Sequence, residues 1–151
     1  MDQLINPVQI KKIAENLECG MSGYWNKYTG ELICLPDIEP HDDHYSLYNE
    51  DFQKIKKHSK DYIEFERPSS RESFKIMEGF TEQLSDQNPL KSRLIQALYH
   101  KKPFQGFKHL IENSHEYRMQ WFEYRNSQYL LLVINILNAS SEDENAADAL
   151  A

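Results

Sequence analysis

PFQGFKHLIENSHEYRMQWFEYR, Pro103–Arg125, decides how the chain is read. Phe104, Phe107, Leu110 and Ile111 recur at helical spacing, and Trp121 and Phe122 follow after a polar break near Asn113–His115. The pattern predicts two short helices, each with an apolar face. The periodicity places Phe104, Phe107 and Trp121 to fasten the C-terminal helices to a small antiparallel sheet. The same stretch carries positive charge in an acidic chain. From Lys91 to Arg125 there are seven Lys/Arg against three Asp/Glu, a net of +4, within a total of −7.

The 151 residues suffice for one domain with a substantial core. Hydrophobic residues make up 40% and charged residues 27%, globular rather than disordered values. The opening residues lack the basic patch and apolar run of a signal peptide. The apolar run Tyr129–Leu137 has about half of the ~20 residues that a membrane span requires. Cys19 and Cys34 therefore read as reduced thiols. These features together predict a cytoplasmic protein with no membrane partner.

Outward from that stretch, Asn6-Pro7 opens a first helix through Val8, Ile10, Ile13, Ala14 and Leu17, which Gly20 ends. Ser22–Tyr28 and Glu31–Leu35 form a hairpin around Gly30. Pro36–Tyr48 is a polar loop, and Asn49 caps a short helix through Lys56. Tyr62–Glu66 alternates apolar and acidic side chains as a third strand ended by Pro68. Ser69 and Glu72 form a capping box for a helix over Ser70–Leu84, and Asn88-Pro89 opens another to about His100. Tyr129–Leu137 suits either helix or strand, and Ala139–Ala151 is an acidic tail. Strands followed by helices imply an α+β fold, a small antiparallel sheet (the hairpin plus a third strand) packed against a helical layer. The predicted organisation is a single α+β domain over residues 1–138 and an acidic tail over 139–151.

Five stretches carry a family resemblance: Tyr24–Glu31 (YWNKYTGE), Met77–Phe80 (MEGF), Leu94–Leu98 (LIQAL), Lys101–Lys108 with PFQGFK, and Trp121–Arg125 (WFEYR). With these, the chain resembles the bacterial uncharacterised protein family 0158 over roughly Ile10–Arg125. The resemblance implies a small cytoplasmic α+β protein and assigns no reaction, cofactor or ligand. Two places depart from that family's pattern: Gln105-Gly106 stands where basic residues are usual, and the apolar Tyr129–Leu137 replaces a charged helix.

Three constellations have chemical potential. His41-Asp42-Asp43-His44 offers His41, Asp43 and His44 as candidate ligands for a divalent metal, the basis of a metal-binding or metal-dependent hydrolase alternative. A solvated turn is the plainer reading of the same four residues. Glu64 and Glu66 could divide acid and base roles in an enclosed site, although acidic residues on an edge strand more often block edge pairing. The third constellation is aromatic and basic. Lys101, Phe104, Phe107, Lys108, Arg118, Trp121, Phe122, Tyr124 and Arg125 are the candidate binding residues. Rings among cations imitate a platform for single-stranded nucleic acid, but the acidic total argues against that partner. No nucleophile motif and no glycine-rich phosphate loop is present. With no catalytic set and no cofactor motif, the function stays unassigned. The reading best supported by sequence is a non-enzymatic protein-interaction or regulatory module, its partner an unidentified protein or a second copy of the chain. Trp, Tyr and Arg are the residue types that dominate interface energetics.

Overall fold

A computed structural model describes residues 4–150, with side chains placed through Ser141. The order is α1 (Pro7–Glu18), β1 (Met21–Asn26), β2 (Leu32–Pro36), α2 (Asn49–Lys57), β3 (Tyr62–Phe65), α3 (Ser70–Glu82), α4 (Pro89–Leu98), α5 (Pro103–Glu112) and α6 (His115–Leu150). The fold is α+β, as the element pattern predicts. The described residues divide into two compact units, one of residues 4–67 and 129–150 and the other of residues 68–128.

In the first unit the three strands are antiparallel in the order β2-β1-β3. Helix α1 begins where sequence places it: Asn6 Oδ1 accepts from the Gln9 amide at 2.8 Å, and the Gln9 side chain accepts from the Asn6 amide. The hairpin is fastened by Asn26. Its amide donates to Glu31 O and its carbonyl accepts from Gly30 N, both at 2.8 Å. Its side-chain oxygen accepts from Tyr28 N at 2.9 Å and Thr29 N at 3.0 Å. Gly30 takes φ +75°, which a residue with a Cβ adopts only under strain.

Strand alternation gives the sheet two faces. Trp25 and Phe65 lie on one and pack with Ile13, Ala14 and Leu17 of α1 and Val133 of α6. Ile33, Leu35 and Tyr62 lie on the other, with Phe52 and Ile55 of α2 against them. Cys34 shares the α1 face, half-buried, and burial pushes its thiol pKa up. Tyr129–Leu137, ambiguous by sequence, is helical. Tyr129, Leu130, Val133, Ile136 and Leu137 form one face that joins the core of this unit, while Leu131 and Ile134 on the other side stay exposed.

The second unit is helical. Met77, Phe80 and Leu84 of α3 meet Leu90, Leu94 and Leu98 of α4, Phe107 and Ile111 of α5, and Trp121 of α6. Helix α3 carries the predicted capping box, Glu72 N donating to Ser69 Oγ at 3.1 Å. In α4, Asn88 Oδ1 accepts from Leu90 N at 3.0 Å. Four rings interlock at the centre: Phe80–Trp121 at 5.3 Å, Phe107–Trp121 at 4.8 Å, Phe80–Phe107 at 6.4 Å and Phe80–Tyr124 at 5.6 Å. Burying each such ring stabilises by about 1.5–3 kcal/mol, and edge-to-face contacts add about 0.5–1.5 kcal/mol per pair.

Four expectations need correction. The second helix of the Pro103–Arg125 stretch is not short: α6 is 36 residues long. Phe107 and Trp121 do not fasten helices to the sheet, because their core partners are all helical residues of the second unit. Phe104 leaves the apolar face altogether. Gly106, Phe107, Leu110 and Ile111 centre the packed side of α5, and at 100° per residue Phe104 sits about 90° away from that centre. Asn49 lies inside α2, whose N-cap is Tyr48 with no side-chain cap.

Candidate functional site

The aromatic-basic candidates separate by burial. Phe107 and Trp121 are core residues, 1% and 8% exposed, and Tyr124 is half-buried against Phe80. Arg125 is half-buried as well. Lys101, Phe104, Lys108, Arg118 and Phe122 face solvent. A base-stacking platform needs open rings. Of the five ring-bearing candidates only Phe104 and Phe122 are exposed, at 42% and 40%.

The exposed residues form two local groups. On α5, Phe104 and Lys108 are four residues apart and so share a face, and Lys108 Nζ lies 3.9 Å from Glu112 Oε1. On α6, the Arg118 guanidinium stands over the Phe122 ring, 5.5 Å from its centroid. Such a cation–π contact contributes about 0.5–1 kcal/mol at an exposed site and holds both side chains in one arrangement. Met119 flanks them, 62% exposed. Arg118, Met119 and Phe122 thus present a cation, a flexible thioether and a ring on the side of α6 opposite Tyr117, Trp121 and Tyr124. Adjacent Trp121 and Phe122 illustrate the division: 100° apart on the helix, one enters the core and the other stays at the surface.

The histidine loop has a different geometry. His41, Asp42, Asp43 and His44 are all exposed. His41 Nε2 lies 3.9 Å from Asp42 Oδ1, and Asp42 Oδ2 accepts from the Glu39 amide at 2.6 Å, so Asp42 closes the turn. Among the described residues no three His, Cys, Asp or Glu side chains gather to hold a metal ion. Glu64 accepts from the Tyr24 hydroxyl at 3.2 Å. Burial, with the nearby Glu64 carboxylate reinforcing it, raises the Tyr24 pKa to about 12. Glu64 and Glu66 are both exposed.

A further feature has no counterpart in the sequence reading. Between α3 and α4 lies a cleft of about 130 Å³ lined by Glu78, Thr81, Glu82, Lys91, Ile95, Leu98 and Tyr99. Thr81 and Leu98 are buried at its floor, and the Thr81 hydroxyl donates to Met77 O at 2.9 Å. Lys91 is occupied: its ammonium donates to Leu84 O at 3.0 Å, Glu82 O at 3.3 Å and Asp86 Oδ1 at 2.6 Å, closing the C-terminal end of α3. The Glu78 and Glu82 carboxylates remain at the rim, Glu78 accepting from the Tyr99 hydroxyl at 3.4 Å. Glu78/Glu82 and Ile95/Tyr99, each four apart, were the signal available in the sequence. It shows the edge of a cleft only when α3 and α4 are known to be neighbours.

Two of the stretches that carry the family resemblance hold a glycine at a close packing contact with another of them. Gly79 of MEGF lies where a Cβ would overlap the Tyr124 hydroxyl of WFEYR. Gly106 of PFQGFK lies where a Cβ would stand 3.3 Å from the Ala97 Cβ of LIQAL. The departure at Gln105-Gly106 therefore sits at a close approach of α5 to Ala97 of α4. Among the described residues, no helix is long and apolar enough to cross a membrane. No curated protein and no solved structure matches the chain. A family model does match, over residues 4–150, beyond both ends of the resembling segment, and the chain belongs to the Uncharacterised protein family (UPF0158).

Proposed function

We propose that the protein is a cytoplasmic, non-enzymatic interaction module whose contact face is Arg118, Met119 and Phe122 on α6. The observation that carries this reading is the Arg118 guanidinium held over a ring that is itself 40% exposed. A ring and a guanidinium fixed together at the surface lose little rotamer freedom on binding, and both are types that anchor interfaces. Phe107 and Trp121, first grouped with them, serve the same face from beneath as its packed support. Lys101, just before α5, and Phe104 and Lys108 on α5 are secondary contacts. The partner is a protein surface with an acidic rim around an apolar recess.

The test is co-purification of the tagged chain with Phe122→Ser and Arg118→Glu variants, the fold checked by circular dichroism. The expected result is loss of bound protein with an unchanged spectrum. Retention of the same bound proteins by both folded variants refutes the assignment.

A further inference from the structure

We infer that the partner of the α6 face is a second copy of this chain, which receives Phe122 in its α3–α4 cleft. This deepens the proposed function and rests on it. The two surfaces complement each other in size and in charge. A cavity of ~150 Å³ in an apolar core holds one benzene molecule, so the 130 Å³ cleft is of the size to take one phenyl ring. Leu98 gives it an apolar floor and Ile95, exposed at the surface, an apolar wall.

The rim supplies the sign. Glu78 and Glu82 stand there, and the lysine that lines the same cleft has its ammonium directed to Asp86 and to the Glu82 and Leu84 carbonyls. A cation brought alongside an inserted ring would meet two carboxylates. Arg118 is such a cation, one helical turn before Phe122 on the same side of α6 and already over its ring. Tyr99, exposed beside Glu78, adds an aromatic lip. Each chain carries both the ring and the recess, and the proposed arrangement is two-fold, each ring entering the other chain's recess so that the assembly closes. Two recesses filled and two arginines set against carboxylates leave neither surface open.

Sedimentation equilibrium of the full chain tests this through a charge exchange. The wild-type chain is expected to dimerise with concentration. Arg118→Glu alone and Glu82→Arg alone are each expected to weaken the dimer roughly tenfold or more, because each sets like charges together at both contacts. Mixed in equal amounts, the two variants regain wild-type association, since both contacts of the mixed dimer are again of opposite sign. Phe122→Ser abolishes association without altering the circular dichroism spectrum. A wild-type chain that stays monomeric up to its solubility limit overturns the inference. So do reversal variants that dimerise like the wild type, or a mixture that stays monomeric. A monomeric wild type whose co-purified proteins are still lost with Phe122→Ser sinks the second-copy assignment alone and leaves the α6 contact face standing.

Discussion

Replacing Gly79 by alanine tests the packing of the helical unit in a form that separates two opposing effects. Gly79 lies inside α3, where alanine favours the helix by about 0.5–1 kcal/mol over glycine. Its added Cβ would overlap the Tyr124 hydroxyl. That hydroxyl sits at the end of a half-buried side chain packed against Phe80 at 5.6 Å and Trp121 at 6.4 Å, which oppose its displacement towards them. Overpacking of this kind costs about 1–3 kcal/mol. Gly79→Ala should therefore destabilise by up to about 2 kcal/mol, the overlap outweighing the helix propensity. In a Tyr124→Phe background the obstruction is gone, and the same substitution should stabilise by about 0.5–1 kcal/mol. Urea unfolding of the four proteins, followed by circular dichroism, gives the coupling, expected at about 1–3 kcal/mol. A cycle additive to within about 0.3–0.5 kcal/mol would refute the claim that the glycine exists to admit the Tyr124 hydroxyl.

Two further outcomes are expected in the sheet unit. Asn26→Ala removes the acceptor for Tyr28 N and Thr29 N and should cost about 1–3 kcal/mol, read as a lower urea midpoint; an unchanged midpoint would mean that Gly30 alone sets the turn. Tyr24 holds its proton up to a pKa of about 12 in the folded chain, against an ordinary value of 10.0. A raised folded pKa means that the associated stability is complete below pH 10 and is lost as pH rises towards 12. Burial also raises the Tyr124 pKa, so alkaline titration of tyrosinate absorbance should show late-titrating groups of which Tyr24→Phe removes one, together with a shallower fall of stability over that window. Loss of no late-titrating group on that substitution would remove the Tyr24–Glu64 contact from the account.

Much of this architecture is written in local signals. Asn6, Ser69 and Asn88 stand where helices start because a short polar side chain can satisfy the first free amides, which is a property of a few adjacent residues. The hairpin is equally local, resting on Asn26 and Gly30. Phe104 shows where such reasoning stops. Its spacing to Phe107 and Ile111 is helical, yet the buried side of α5 is the one that carries Gly106 against Ala97 of α4, a contact between helices that spacing alone does not show. The spacing of aromatic residues likewise cannot distinguish a ring inserted between helices, as Trp121 is, from one left at the surface, as Phe122 is. The α3–α4 cleft was hidden for the same reason: its carboxylates and its apolar wall belong to different helices.

The boundary between the two units falls inside α6, at Gln128/Tyr129, and Val133 completes the core that Ile13 and Trp25 begin. A ribosome adding ~5–20 residues per second therefore releases the sheet's early residues well before their last partner exists. The helical unit, contiguous from 68 to 128, has its whole complement of core side chains before Val133 is made. A nascent chain halted soon after Gln128 would thus hold one unit with its sequence complete and another whose core, covered by α1, still lacks Val133 and its apolar neighbours on α6.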